Sequence, residues 1–306
     1  MIDTNWSEHY IKRGDPSKPT YYIIRRQALS EGLFFRFNLI AGHIKYALKK
    51  DWIPVVDMQN YPNPYLLPDK LGKENSWEYY FEQPLHVGLE DALNGENVIL
   101  SDGGIIETRP NSGMAFFENR NGILTEWKTL VKTGLLKIKP KRLEEISLVR
   151  EKIFSPTDRV LGVLLRGTDY VAEKPKWHPI PPPVEFAASI SKIKLREWKC
   201  NKIFLATEDK TIIQNFKTFF GEICVTYDRE YVDFVPGKRI TRMHINREND
   251  PFIQGKDYLT QMVLLSMCNS FIAARCNGSV GVMMFEDHFE HTYFFNLGRY
   301  GVLSLD

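Results

Sequence analysis

One stretch concentrates residue types suited to transfer chemistry. The apolar run VLGVLL ends in Arg166, and Gly167, Thr168, Asp169, Glu173 and His178 follow in the next loop. An arginine at the carboxyl end of a strand presents a planar guanidinium that grips a phosphate through two parallel hydrogen bonds. A glycine beside it lets a ligand approach the backbone. Carboxylates close to a cation, here Asp169 and Glu173, are where a general base is found. The competing account is an Arg–Asp ion pair that fastens the loop. A second stretch, IFLATED, runs an apolar segment into Thr207, Glu208 and Asp209. These could meet a ligand, although capping of the following helix by Thr207 or Asp209 explains them more simply. A third, residues 255–285, leads through SFIAA to Asn277, Gly278 and Ser279. Free N–H groups and a hydroxyl at a helix start form an anion site, and they also form ordinary caps. The VMMF run reads as core packing.

Strands and helices must carry these groups. Residues 20–26 (TYYIIRR) read as a strand, Glu31–Gly32 as a turn, 33–50 as a helix and 53–58 as a strand ending in an acid. Strand, glycine turn, helix and strand begin a nucleotide-binding type of domain. Residues 60–77, rich in Pro, Asn and Tyr, read as a long ordered loop, and 124–154 as helical and basic. SPTD at 155–158 marks the domain boundary, giving domains 1–155 and 156–306. The second domain alternates strands at 159–166, 202–207, 222–227 and 270–274 with helices at 184–199, 209–220 and 255–267. The fold class is α/β, with ligands at the carboxyl ends of parallel strands.

Composition removes other classes. Of 306 residues 43% are hydrophobic and 25% charged, which excludes a disordered or fibrous chain. Forty basic against 38 acidic residues, divided evenly between residues 1–150 and 151–306, leave no patch of bulk charge for nucleic acid. The opening MIDTNWSEHYIKRGD lacks the apolar core of a signal peptide, and the apolar runs are short of a bilayer span. Four cysteines without CxxC spacing fit a reduced, cytoplasmic protein. The sequence has no D-x-D, P-loop or HExxH signature, and no metal site is expected. The cluster at 286–291 (EDHFEH) reads as a solvated loop before it reads as a metal site. His43, within an amphipathic helix, is expected to be structural. Tyr61, Tyr65, Trp77, Tyr79, Tyr80 and Phe81 could stack on sugar rings or anchor the loop. The basic segment 132–142 offers a peripheral contact with an anionic membrane surface, with a solvated helical face as the plainer reading.

Together the three stretches resemble the fucosyltransferase superfamily of α1,6-fucosyltransferases, nodulation fucosyltransferases and protein O-fucosyltransferases. The family's G-V-H-V-R-R-T-D followed by F-H-P corresponds to GVLLRGTD and WHP here, and L-A-T-D-D to LATED. Its helix, short strand and Ser-rich turn correspond to LLSMCNSFIAARCNGS, and its N-terminal glycine loop to Gly32–Leu33. The resemblance implies a GT-B arrangement, two Rossmann-like domains facing across a cleft, with the N-terminal one on the acceptor side. It implies an inverting fucosyltransferase with GDP-fucose as donor, a surface glycan or oligosaccharide as acceptor, and no further cofactor. Arg166 matches the arginine on the donor diphosphate. Gly32 and Leu33 fall near the same phosphates, Asn277, Gly278 and Ser279 beside the pyrophosphate, and Asp257 at an acid that meets the nucleoside. Thr207 and Glu208 complete the donor set. Three positions depart from the pattern. Leu164 replaces the family's His, Gly167 replaces the second arginine of the α1,6 branch, and Lys174 stands where that branch has its catalytic glutamate, with Glu173 one residue earlier. A transferase using another nucleotide sugar, and a non-catalytic nucleotide-sugar or glycan-binding protein, therefore remain as alternatives.

Overall fold

The computed structural model describes residues 7–29, 31–166, 168–231 and 245–302. In chain order the first elements are β1 (Glu8–Lys12), β2 (Thr20–Arg25), α1 (Leu33–Lys49), β3 (Ile53–Asp57), α2 (Leu89–Asn94) and β4 (Asn97–Ser101). Then come α3 (Met114–Phe117), α4 (Ile123–Lys132), α5 (Pro140–Ile153), β5 (Val160–Leu164), α6 (Thr168–Glu173) and α7 (Val184–Glu197). The last are β6 (Lys202–Ala206), α8 (Lys210–Phe220), β7 (Cys224–Thr226), α9 (Asp250–Ser266), β8 (Ser270–Ala274), α10 (Asn277–Phe285) and β9 (His291–Phe295). Two compact units result. Unit 1 comprises residues 1–111, 121–143 and 246–256, and unit 2 comprises 112–120, 144–245 and 257–306. The partition is interleaved, where the sequence suggested one cut after residue 155.

Unit 1 holds a four-stranded sheet in the order β1-β4-β2-β3. Strand β2 runs parallel to β3 and β4, and β1 pairs antiparallel with β4. The run TYYII in β2 is β-branched and aromatic, which suits a pleated, buried strand. Helix α1 buries Leu33, Phe34, Phe37, Ile40 and Ile44. At Gly42 a Cβ would lie inside contact distance of the Thr108 carbonyl and 2.9 Å from Ile106 Cγ2, so only glycine lets that segment close on the helix. The 60–77 loop is ordered by its amides. Asn75 donates to Val56 O at 2.7 Å and Asn63 to Met58 O at 3.1 Å. Trp77, Tyr80 and Phe81 are fully buried, with the Trp77 and Phe81 rings stacked at 4.3 Å. Within this unit Tyr80 Oη donates to Phe252 O at 3.0 Å. These aromatics, with buried Tyr65, are core anchors and not a sugar platform.

Unit 2 holds five parallel strands in the order β7-β6-β5-β8-β9. All five residues of β5 and all five of β8 are buried, as a parallel sheet covered on both faces requires. Leu161, Val163, Ile203, Leu205 and Ile272 meet Ala187, Ala188, Ile212 and Phe216 of the helices in one cluster. Helix α9 begins at Asp250, earlier than the 255 read from sequence, and residues 250–256 of it belong to unit 1. The basic run 132–142 is not one solvated face. Arg142 is buried with its guanidinium 5.4 Å from the Phe252 ring, and Lys137 pairs with Glu82 at 3.0 Å. Among the described residues no helix is long and apolar enough to cross a membrane.

Candidate functional site

The carboxyl edge of the unit 2 sheet collects most of the residues singled out from sequence. Pairing of β5 with β6 continues past its last bridge, with the Leu165 N–H donating to Ala206 O at 3.1 Å. Arg166 then emerges, and its Nε lies 3.9 Å from Glu208 Oε1, both side chains being partly buried. At that distance the contact is Coulombic and not a hydrogen bond. The other two residues of the LATED motif serve the backbone. Thr207 is buried and its Oγ1 accepts from the Asp209 N–H at 3.2 Å, while Asp209 caps α8 by accepting from the Thr211 N–H at 2.8 Å. Glu208 is therefore the member of the motif turned to Arg166.

Asp257, on α9, is buried beside residues that sequence reading did not name. Tyr227 Oη donates to Asp257 Oδ1 at 3.2 Å, and Arg229 Nε lies 3.7 Å from Oδ2. Gln261, one turn along the helix, accepts from Arg229 Nη1 at 3.5 Å and donates to Thr207 O at 3.3 Å. Burial first, and then the Asp257 charge, push the Tyr227 phenol up to about 12. Tyr227 ends the run 222–227 read as a strand and Arg229 stands two residues beyond it, so a reading of strand ends could have found them; Gln261 stands four residues from Asp257 on one helix face.

At the start of α10, Ser279 is fully buried. Its hydroxyl donates to Cys276 O at 2.8 Å and accepts from the Cys276 N–H at 2.9 Å. A Cβ at Gly278 would come within 2.6 Å of Tyr258 Oη and 3.0 Å of Met262 Sδ, so close packing on α9 accounts for this glycine. Asn277 opens the helix and is half-buried, and Met283 and Met284 lie in the core as expected.

Glu173 is the exposed last residue of α6, followed by Lys174 with a φ of 45°. Gly167 and the side chains of Thr168 and Asp169 lie outside the described residues. Leu164 is buried in the sheet. His178 is exposed on a segment laced to the chain end, with the Trp177 N–H donating to Tyr300 O at 2.9 Å and the Tyr300 N–H to His178 O at 3.0 Å.

In unit 1, Gly32 is the N-cap of α1 with an ordinary extended backbone, and a Cβ there would meet nothing within 4 Å. Leu33 points its side chain into the core, which leaves its backbone as the part that could face a ligand. The loop before them is built on arginines. Buried Arg36 donates to Arg26 O at 3.0 Å and to Ala28 O, and Arg26 pairs with Glu31 at 2.5 Å. Arg25 and Asp57, at the ends of β2 and β3, pair at 2.9 Å. His43 is buried with Nδ1 2.8 Å from the Tyr22 hydroxyl, and burial brings its pKa down to about 3. It is a neutral core histidine.

Glu286 accepts from the His288 and Phe289 N–H groups at 3.0 Å each, which makes the 286–291 cluster a turn anchored on one carboxylate. Among the described residues no group of three or more His, Cys, Asp or Glu could hold a metal ion.

No protein-family model and no curated protein matches the chain. Solved structures do. The fucosyltransferase NodZ from Bradyrhizobium aligns at 16% identity over 94% of this chain and 98% of its own, with a TM-score of 0.53. NodZ α-1,6-fucosyltransferase soaked with GDP-fucose aligns at 15% over the same shares, with a TM-score of 0.52. The apo form of POFUT1 aligns at 10% over 93% and 100%, with a TM-score of 0.51. The chain therefore has the mixed α/β fold, with parallel sheets, that is found in the solved fucosyltransferases.

Proposed function

We propose that the protein is an inverting glycosyltransferase that moves fucose from GDP-fucose to a glycan acceptor. In this reading the two units form the Rossmann-like halves of a GT-B enzyme, unit 2 holding the donor and unit 1 the acceptor. The observation that carries it is Arg166 on the carboxyl edge of β5, held near Glu208, in a fold that matches NodZ across nearly the whole of both chains. One of those matched crystals was soaked with GDP-fucose. Arg166, with the N-termini of α10 and of α1 at Gly32 and Leu33, stabilises the diphosphate leaving group without a metal. Thr207, Glu208, Asn277, Gly278 and Ser279 shape the donor pocket, and Asp257 meets the nucleoside. Glu173, or else Asp169, takes the acceptor proton as the hydroxyl attacks the sugar on the face opposite GDP. The four cysteines are buried and none is in a disulfide, which fits a reducing cytoplasm; a surface glycan or oligosaccharide is the acceptor in this reading.

Two observations favour a second reading, a nucleotide-sugar-binding protein without turnover or a transferase with another donor. Leu164 is sealed in the sheet at the position where the family pattern that the sequence resembles has a histidine, and Lys174 follows Glu173. The test is a thermal-shift panel of GDP, UDP, ADP, CMP and dTDP sugars, followed by measurement of GDP release from GDP-fucose with glycan acceptors. Stabilisation led by a uridine or adenine nucleotide removes the donor assignment. Binding without GDP release removes the enzyme.

A further inference from the structure

Trp177 lies in the segment that follows α6, and the function proposed above leaves its side chain unused. Helix α6 starts just past the carboxyl end of β5, and residues 298–300 come just after the carboxyl end of β9. Backbone bonds join the two segments. The Trp177 N–H donates to Tyr300 O at 2.9 Å, the Tyr300 N–H to His178 O at 3.0 Å and the Ile180 N–H to Gly298 O at 3.0 Å. Arg299 Nη1 donates to Trp177 O at 2.9 Å. Residues 177–180 are thereby held on the carboxyl side of the unit 2 sheet, the side on which parallel α/β domains bind their ligands. All of these ties run through the backbone of the segment and leave the indole aside.

The backbone at Trp177 favours another residue. The His178 N–H donates to Pro175 O at 3.1 Å, closing a turn whose third residue is Trp177 with a φ of 71°. Turns with a positive φ at that position take glycine, because a side chain is strained there, and a bulky one most of all. The ring is also 60% exposed. Glycine would remove both the strain and the apolar surface left in water. Backbone strain of this kind gathers at binding sites, where the side chain it presents is used. The residues around it, Glu173, Lys174, Lys176 and His178, are exposed, and Lys176 Nζ stands 5.2 Å from the ring centre. One indole among charged groups falls short of the contiguous apolar patch, about 300 Å² or more, that marks a protein interface. It has the make-up of a saccharide subsite. The flat apolar ring meets the C–H face of a pyranose, and the polar groups around it meet the hydroxyls.

We infer that Trp177 is a platform on which a sugar ring of the acceptor stacks. This rests on the glycosyltransferase reading, and it adds to that reading a residue that positions the acceptor. Glu173, the proposed base, stands four residues earlier, so the two backbones are at most about 14 Å apart. A short oligosaccharide spans that distance. Stacking on Trp177 then fixes the chain while one of its hydroxyls faces Glu173, and the donor site is untouched.

The experiment titrates chitotetraose, cellotetraose, mannotetraose and maltotetraose into the wild type, Trp177→Phe and Trp177→Gly, with GDP as the control and unfolding midpoints taken without ligand. Expected is binding of at least one tetrasaccharide by the wild type, a loss of about tenfold in Trp177→Gly and a smaller loss in Trp177→Phe. GDP affinity should stay the same in all three, and the midpoint of Trp177→Gly should equal or exceed that of the wild type, since glycine relieves the turn. Binding of none of the four by the wild type overturns the proposal, as does equal saccharide affinity in wild type and Trp177→Gly. A lowered midpoint in Trp177→Gly assigns the indole to structure and overturns it too. Failure of the transferase reading looks different: a tetrasaccharide binds through Trp177 while GDP-fucose neither binds nor releases GDP.

Discussion

The phenol of Tyr227 donates a hydrogen bond to Oδ1 of Asp257 at 3.2 Å, joining the end of β7 to the middle of α9. Their partners extend the link, since Arg229 approaches the other carboxylate oxygen and Gln261 ties Arg229 to the Thr207 carbonyl. In the proposed reading a carboxylate oriented in this way accepts from the N–H or O–H groups of the nucleoside. Asp257→Asn is expected to weaken guanosine and GDP binding about tenfold or more, the scale of one hydrogen bond to a charged group. Tyr227→Phe, which only loosens the orientation, should cost less. Calorimetric titration measures both, with pyrophosphate as the control that stays unchanged.

Arg166→Lys keeps the charge and loses the planar fork. Diphosphate binding should fall by about tenfold or more, with transfer falling at least as far. Wild-type transfer should persist in excess chelator. Wild-type rates in the variant, or complete loss of activity with chelator, would count against the metal-free role of Arg166.

Glu173→Gln should bind donor like the wild type and transfer sugar about 100-fold more slowly or worse, the usual contribution of a general base. Asp169→Asn should instead weaken donor binding. Normal turnover in Glu173→Gln with a pure rate defect in Asp169→Asn would move the base to Asp169.

His43 links pH to stability. Burial holds its pKa near 3, below the ordinary value of 6.5, so the folded state keeps it neutral while the unfolded chain takes up a proton. Its contribution is complete above pH 6.5 and is lost as pH falls toward 3. Between pH 6.5 and 5 the loss is about 2 kcal/mol. Urea unfolding of the wild type and His43→Gln at both pH values checks this. The variant's stability should fall by about 2 kcal/mol less over the interval.

Gly42→Ala should destabilise the protein even though alanine favours helix. The helix gain is about 1 kcal/mol, whereas the new methyl would strike the Thr108 carbonyl and Ile106, and overpacking costs about 1–3 kcal/mol or more. A lowered unfolding midpoint is expected, and a raised one would show that residues 106–109 can move away from α1.

The elements of unit 2 were the most legible. Strand β8 has the ends read from sequence, and β5 lies inside its expected run, because buried parallel strands appear as unbroken apolar text. The edge strands β3 and β7 were read as well, whereas the edge strands β1 and β9 were missed for the converse reason. Strand β1 (EHYIK) is largely exposed and β9 (HTYFF) buries only Phe295 fully, so neither shows a clean pattern. Arg166 and Glu208 were readable since each directly follows its own apolar strand. The Tyr227–Asp257 bond joins residues 30 apart, and the order of the strands in the sheet sets which strand ends are neighbours, which no local pattern encodes.

The interleaving of the two units has a consequence for the order in which they can be completed. Unit 1 needs residues 246–256, where Phe252 accepts from Tyr80 and lies against Arg142. A ribosome delivers that segment only after the strands β5, β6 and β7 of unit 2. The amino-terminal unit therefore waits for most of the chain to be made, and its aromatic cluster around Tyr80, buried in the finished fold, lacks its Phe252 cover until then.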